Sequence, residues 1–234
     1  MLPISTTAIF GRRSLRVILF VVLVGLIYFN SLNNGFLFDD PHYIVQNYLI
    51  KALDSQALWE LFSSFYVGDY IPLTLFSLAI DYWLYGLNPI GYHFSNTLLH
   101  LINSLLVYQL FLKITRSERG AFWISLIFLV HPVQVESVAW ISERKNLLSF
   151  SFLALSFLSY LRGGTRPLSL LLFFLACLAK TSVVILPLLL ILYDVSFSRK
   201  HIKDIVVGKV PYFLISLGVV ILTLSSQSHE KMLT

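Results

Sequence analysis

Two adjacent carboxylates and an imidazole stand in the stretch Gly35-Phe36-Leu37-Phe38-Asp39-Asp40-Pro41-His42, directly after the first apolar segment. Neighbouring like charges repel, so an acidic pair beside apolar surface needs a reason to be there. A carboxylate near a hydroxyl acceptor can serve as a general base, which makes Asp39 and Asp40 candidate catalytic residues and His42 a candidate substrate contact. Two further polar clusters interrupt the apolar sequence. One runs from His131-Pro132-Val133-Gln134-Val135-Glu136 to Ser142-Glu143-Arg144-Lys145, and the other is Lys180 between two apolar runs. Arg binds a phosphate as a planar fork and Lys as a point charge, so Arg144, Lys145 and Lys180 suit a lipid-linked phosphate. Each feature also has a plain structural reading. Asp39-Asp40-Pro41 reads equally as a turn, His131-Pro132 as a helix stop, Glu143 to Lys145 as a solvated helix end, and Lys180 as a snorkelling side chain.

These residues need a scaffold, and composition says which kind. The 234 residues are 57% hydrophobic and 12% charged, with mean hydropathy +0.78. Soluble domains carry roughly twice that charge fraction. The long apolar runs predict an all-α multispanning membrane protein. The net charge of +5 is scattered between those runs and forms no stripe, which argues against a nucleic-acid partner. Cys177 is the sole cysteine, so no disulfide forms within the chain, and its apolar surroundings predict an inert thiol. No zinc-type ligand spacing, phosphate-binding glycine loop or nucleophile elbow is present. A divalent metal is not excluded, and no metal ligand is assigned.

About seven spans are expected: residues 15–30, 92–112, 121–130, 147–161, 168–179, 182–195 and 205–224. The first, behind Arg12, Arg13 and Arg16, lacks a small-x-small cleavage site and reads as an uncleaved anchor. The long loop 31–88 holds two short interfacial elements. Leu58, Leu61, Phe62 and Phe65 follow helical spacing, and residues 73–85 reach only about 20 Å as a helix, short of a bilayer core of about 30 Å. In the second span His93, Asn96, His100 and Asn103 are spaced 3, 4 and 3, so they share a face that must point into the bundle. The stripe reads as hydrogen-bonded helix packing or, at His93 and Asn96, as the wall of a substrate cavity. With seven spans, twelve Lys and Arg fall on one side (Arg12, Arg13, Arg16, Lys113, Arg116, Arg119, Arg162, Arg166, Arg199, Lys200, Lys203, Lys209). Five fall on the other (Lys51, Arg144, Lys145, Lys180, Lys231). The positive-inside rule then sends the acidic pair, the 131–146 stretch and Lys180 to the outer face.

Phe38-Asp39-Asp40 after the first span resembles the acidic motif in the first outer loop of GT-C glycosyltransferases, and Phe38 to His42 is similar to the acidic-His stretch of protein O-mannosyltransferases. Gly86-Leu87-Asn88-Pro89-Ile90-Gly91-Tyr92-His93-Phe94-Ser95-Asn96-Thr97-Leu98-Leu99-His100, His131 to Leu148, and Ala179-Lys180 with Leu186-Pro187 and Tyr193-Asp194 resemble the membrane domain of tetratricopeptide-repeat O-mannosyltransferase-like proteins, in their bacterial wording. The resemblance covers roughly Asn34 to Asp194. It implies a single GT-C-like membrane domain over 1–234, incomplete at its C-terminus and without tetratricopeptide repeats. It also implies a transferase that moves a sugar such as mannose from a polyprenyl-phosphate donor to a protein or glycan acceptor. The implied location is the periplasmic face of a bacterial inner membrane. By that resemblance Asp39 is the acceptor base, and Asp40 and His42 shape the site. His93, His131 and Glu136 join Arg144, Lys145 and Lys180 as candidate substrate contacts; giving the last three to the donor phosphate is an electrostatic inference. A single displacement assisted by such a base implies inversion. The sequence departs from the family pattern at Ile71 of Tyr70-Ile71-Pro72-Leu73, at Gln134 and at Asn146. The competing expectations are a non-catalytic membrane scaffold of the same fold and a transporter.

Overall fold

The structure is a computed structural model that describes residues 6–52, 54–198 and 201–231, with side chains over 14–52, 54–198 and 201–226. Arg199 and Lys200, and the side chains of Arg12, Arg13 and Lys231, lie outside the described residues.

Eleven α-helices are described: α1 (Thr6–Tyr28), α2 (Ser55–Ser63), α3 (Pro72–Tyr85), α4 (Pro89–Thr115), α5 (Glu118–Val130), α6 (Gln134–Ala139), α7 (Arg144–Tyr160), α8 (Pro167–Ala179), α9 (Leu186–Phe197), α10 (Ile202–Val207) and α11 (Val210–Lys231). Local chemistry sets their starts. The Asn88 side chain accepts from Ile90 N at 3.2 Å just before Pro89, and Ser117 accepts from Gly120 N at 3.1 Å. Asp54 accepts from Ala57 N at 2.8 Å. Such caps satisfy amides that a helix start leaves without partners. The apolar run 168–195 breaks at Lys180, whose extended backbone ends α8. A short 3₁₀ turn, Thr181–Ile185, then leads into α9.

Contacts between helices fix their directions. Arg16 on α1 donates to Tyr108 near the end of α4 at 2.6 Å and pairs with Glu118 at the start of α5 at 2.8 Å. At the other end of α1, Tyr28 meets His100, and His100 Nε2 bonds Leu129 O at the end of α5 at 3.0 Å. Ser156 late in α7 bonds Ser169 early in α8. Thr181 meets Thr223 of α11 at 2.8 Å. Helices α1, α4, α5, α7, α8, α9 and α11 therefore alternate in direction. One end of the bundle, the acidic end, carries Asp39, the 131–146 stretch and Lys180. The opposite, basic end exposes Lys113, Arg116, Arg119, Arg162, Arg166 and Lys203.

Among the described residues two helices are long and apolar enough to cross a membrane by themselves, Ser14–Asn33 and Pro89–Thr115. The twenty and twenty-seven residues reach about 30 and 40 Å. Helices α5, α8 and α9 are shorter, and the seven expected segments meet that length criterion only in part. The outer surface is rich in apolar groups, with Leu26, Ile127, Leu171, Leu192 and Leu214 all exposed, as expected of a bundle that meets hydrocarbon rather than water.

Two boundaries and one charged residue differ from the sequence expectation. Ile205 to Val207 belong to the separate helix α10, because the chain turns at Gly208 before α11 begins. Phe65 lies beyond α2, which stops at Ser63, and within α2 Leu61 is buried while Trp59 is exposed. Lys209, counted with the loop cations, is instead 2% exposed. Its ammonium donates to Asp194 Oδ2 at 2.6 Å and to Tyr160 Oη at 2.6 Å, and Tyr160 donates to the same Asp194 oxygen at 2.5 Å. This buried triad ties α7, α9 and the start of α11 together.

Candidate functional site

The acidic end is assembled by the polar stripe of α4. His93, Asn96, His100 and Asn103 are all buried, as their spacing requires. Asn96 Nδ2 donates to the carbonyls of Val138, Trp140 and Ile141 at 3.2–3.4 Å, which clamps the end of α6 and the turn behind it. Asn103 donates to Leu147 O at 2.9 Å. The stripe thus fixes where α7 begins and which way its first residues point.

Arg144 is the largest of the fully buried side chains. Its Nη2 meets Asp81 Oδ2 at 2.5 Å and donates to Tyr92 O at 3.0 Å, while Nε donates to Asn96 Oδ1 at 2.7 Å. Ser95 donates to the other oxygen of Asp81 at 2.9 Å. A guanidinium so committed joins α3, α4 and α7 and has little left for a ligand. Lys145, one residue and about 100° further round the helix, points the other way. Its ammonium lies 3.4 Å from Glu143 and 3.7 Å from Asp69, over the ring of Tyr43. Lys180 lies 3.6 Å from Glu143 and donates to Asn146 Oδ1 at 2.5 Å; Asn146 in turn donates to Glu143 and to Ser137.

The two aspartates have opposite environments. Asp40 is 1% exposed. Its Oδ1 accepts from Ser142 N at 2.8 Å and Ser142 Oγ at 2.5 Å, and its Oδ2 accepts from Leu37 N at 3.0 Å. Asp39 is exposed at the surface of the same turn, and its carbonyl accepts from the amides of His42 and Tyr43. The separation comes from Phe38, which has φ +51°, uncommon for a residue with a side chain. Its ring packs against Trp140 at 5.2 Å. Tyr43 lies under the ammonium of Lys145 and donates to Asp69 at 3.4 Å. Burial, and next the carboxylate of Asp69, push its hydroxyl well above the ordinary phenol range.

The structure therefore brings together, at one end, the acidic turn, Lys145 and Lys180. His42 is exposed beside them, and its carbonyl accepts from Tyr66. His93 is buried beneath the turn. His131 is exposed, and its Nδ1 accepts from Val133 N at 3.2 Å, the geometry of a helix start. Glu136 is exposed on α6. Sequence reasoning missed Asp69, Tyr43 and Asn146 as members of the cluster. Asn146 follows Lys145 directly and could have been found from it; nothing in the sequence around Asp69 marks it.

The chain matches curated proteins along most of its length. Protein O-mannosyl-transferase TMTC3 of Mus musculus is 34% identical over 160 residues, 63% of this chain and 17% of the relative. Protein O-mannosyl-transferase Tmtc1 of Drosophila melanogaster is 31% identical over 187 residues, 74% of this chain and 22% of the relative. The chain is related to the protein O-mannosyl-transferases. It spans about a fifth of the length of these relatives. Protein O-mannosyl-transferase TMTC4 of Mus musculus matches at the same level, 34% over 168 residues. No protein-family model matches the chain, and no solved structure matches it.

Proposed function

We propose that this chain is the membrane-embedded part of a glycosyltransferase that moves a sugar, such as mannose, from a polyprenyl-phosphate donor to a hydroxyl acceptor at the outer face of a bacterial inner membrane. The observation that carries the reading is the acidic end itself: an exposed carboxylate, Asp39, on a turn locked from below, at the same end as two lysines that share the carboxylate of Glu143. The relatives are protein O-mannosyl-transferases by name, which supports the reaction class. The exposed Lys and Arg of the opposite end support the outward assignment of this face by the positive-inside rule.

In this reading Asp39 takes the proton of the acceptor hydroxyl. The acceptor oxygen attacks the anomeric carbon while the bond from that carbon to the phosphate oxygen breaks. The leaving phosphate gains charge as it departs, and Lys145 and Lys180 oppose that charge. Their ammonium groups lie 3.4–3.7 Å from Glu143 and Asp69, and Lys180 also donates to Asn146 at 2.5 Å, so a phosphate enters as a further charge-assisted acceptor for both lysines. Arg144 and Asp40 hold the frame. One displacement inverts the anomeric centre.

The test is transfer from decaprenyl-phosphate mannose to an acceptor by the full-length protein and by Asp39→Asn. The expected result is a loss of at least 100-fold, the order that a general base contributes, with thermal stability unchanged. An unchanged transfer rate overturns the role of Asp39, and a wild-type protein that transfers no sugar from any polyprenyl donor favours the scaffold reading.

A further inference from the structure

A cavity lies behind the charged cluster. Its volume is about 360 Å³, and it opens between α4, α5, α6, α7 and the turn after α8. Its apolar walls include Phe128, Leu147 and Phe150, its polar lining is Asn103, Gln134, Ser137, Asn146, Ser149 and Ser182, and no ionised side chain faces it. Asn103 and Ser149 are already spent on backbone carbonyls. The Gln134 side-chain amide and the Ser182 hydroxyl make no hydrogen bond to any described residue. Ser137 accepts from Asn146 and keeps its own hydrogen to give. The open valences are thus neutral and mixed, donors and acceptors together.

That set suits one ligand chemistry. A phosphate wants donors and positive charge, and a prenyl chain would leave the polar part of the lining without partners. Vicinal hydroxyls, each donor and acceptor at once, match an amide and two hydroxyls in a cavity within the usual size range of small-ligand sites, about 300–1,000 Å³. Asn146 belongs both to this cavity and to the charged cluster, since Lys180 donates to it at 2.5 Å. A phosphate held at Lys180 therefore stands at the cavity mouth. We infer that the cavity is the seat of the hexosyl group of a lipid-phosphate sugar, with Gln134, Ser137 and Ser182 as its hydrogen-bonding residues. The inference rests on the transferase reading for the identity of the lipid, and on the cavity alone for the sugar.

Binding separates the two. The full-length protein in nanodiscs is titrated with decaprenyl phosphate, decaprenyl-phosphate mannose and decaprenyl-phosphate glucose, and the retained lipid is quantified by native mass spectrometry. Wild type is expected to retain a hexose-bearing lipid better than the bare phosphate. Gln134→Ala with Ser182→Ala should lower that preference roughly tenfold or more, the value of two ordinary hydrogen bonds. Its retention of bare decaprenyl phosphate should not change, which also reports that the double variant is folded. Lys180→Met should weaken all three lipids together and leave the preference intact. A wild type that does not prefer the sugar, or a double variant that keeps the preference, overturns the inference. Preference without transfer to an acceptor overturns the transferase reading and leaves the sugar seat standing. Transfer with no effect of the double variant does the reverse.

Discussion

Replacing Asp40 by Asn should damage the fold, whereas the same change one residue earlier should damage only chemistry. The carboxylate of Asp40 accepts three hydrogen bonds: two on Oδ1 from Ser142, at 2.8 and 2.5 Å, and one on Oδ2 from Leu37 N at 3.0 Å. An asparagine offers one acceptor oxygen and one NH₂. If the oxygen stays with Ser142, the NH₂ faces the Leu37 amide, donor against donor, and a partly buried N–H loses its partner at a cost of about 1–3 kcal/mol. The two bonds from Ser142 also weaken from charge-assisted to neutral, by about 1 kcal/mol each. Flipping the amide orphans both Ser142 donors instead. The expected loss is about 3–5 kcal/mol, or a fall in melting midpoint of the order of 10 °C for a chain of this size. The assay is thermal unfolding of purified Asp40→Asn and Asp39→Asn in detergent, followed by protection of the 35–45 turn from proteolysis. The reasoning fails if Asp40→Asn melts with wild type, or if Asp39→Asn is the destabilised member of the pair.

Two more outcomes follow. Arg144→Gln and Asp81→Asn each leave a buried charge without its counter-charge and should cost about 3–5 kcal/mol. The double variant should recover a substantial part of that loss, and additive losses in the double-mutant cycle would show that the two do not act as a pair. Tyr43 has its folded pKa raised, so its neutral form is the stabilised one. That contribution is whole below the unfolded pKa of about 10 and is lost as pH climbs toward the higher folded value. Wild type should therefore lose stability more steeply than Tyr43→Phe above about pH 10. Equal slopes in alkaline thermal melts would refute this.

The sequence made some of this visible and hid the rest for identifiable reasons. The 3-4-3 spacing on α4 declared a buried polar face, because helical period leaves no other way to place four polar groups in an apolar span. Apolar runs and prolines marked most helices. Adjacent residues were harder to separate. Asp39 and Asp40 are alike in type and neighbours in sequence, and only the left-handed backbone at Phe38 sends one outward and the other under Ser142. Arg144 and Lys145 read as one cationic pair, yet a single helical step commits the first to Asp81 and turns the second toward Glu143 and Asp69. Lys209 read as a loop cation, since its partners lie 15 and 49 residues away. Asp69 joined the site through tertiary packing that no local pattern announces.

The triad of Lys209, Asp194 and Tyr160 also bears on how the chain is made. Asp194 closes α9 and emerges 15 residues before its counter-charge. An unpaired carboxylate is costly in hydrocarbon, so α9 gains a settled place only when Lys209 and the start of α11 arrive. The two helices then enter the bundle as one biosynthetic unit. Synthesis halted between residues 198 and 208 should leave α9 poorly integrated, and the last part of the bundle should form in a single late step rather than helix by helix.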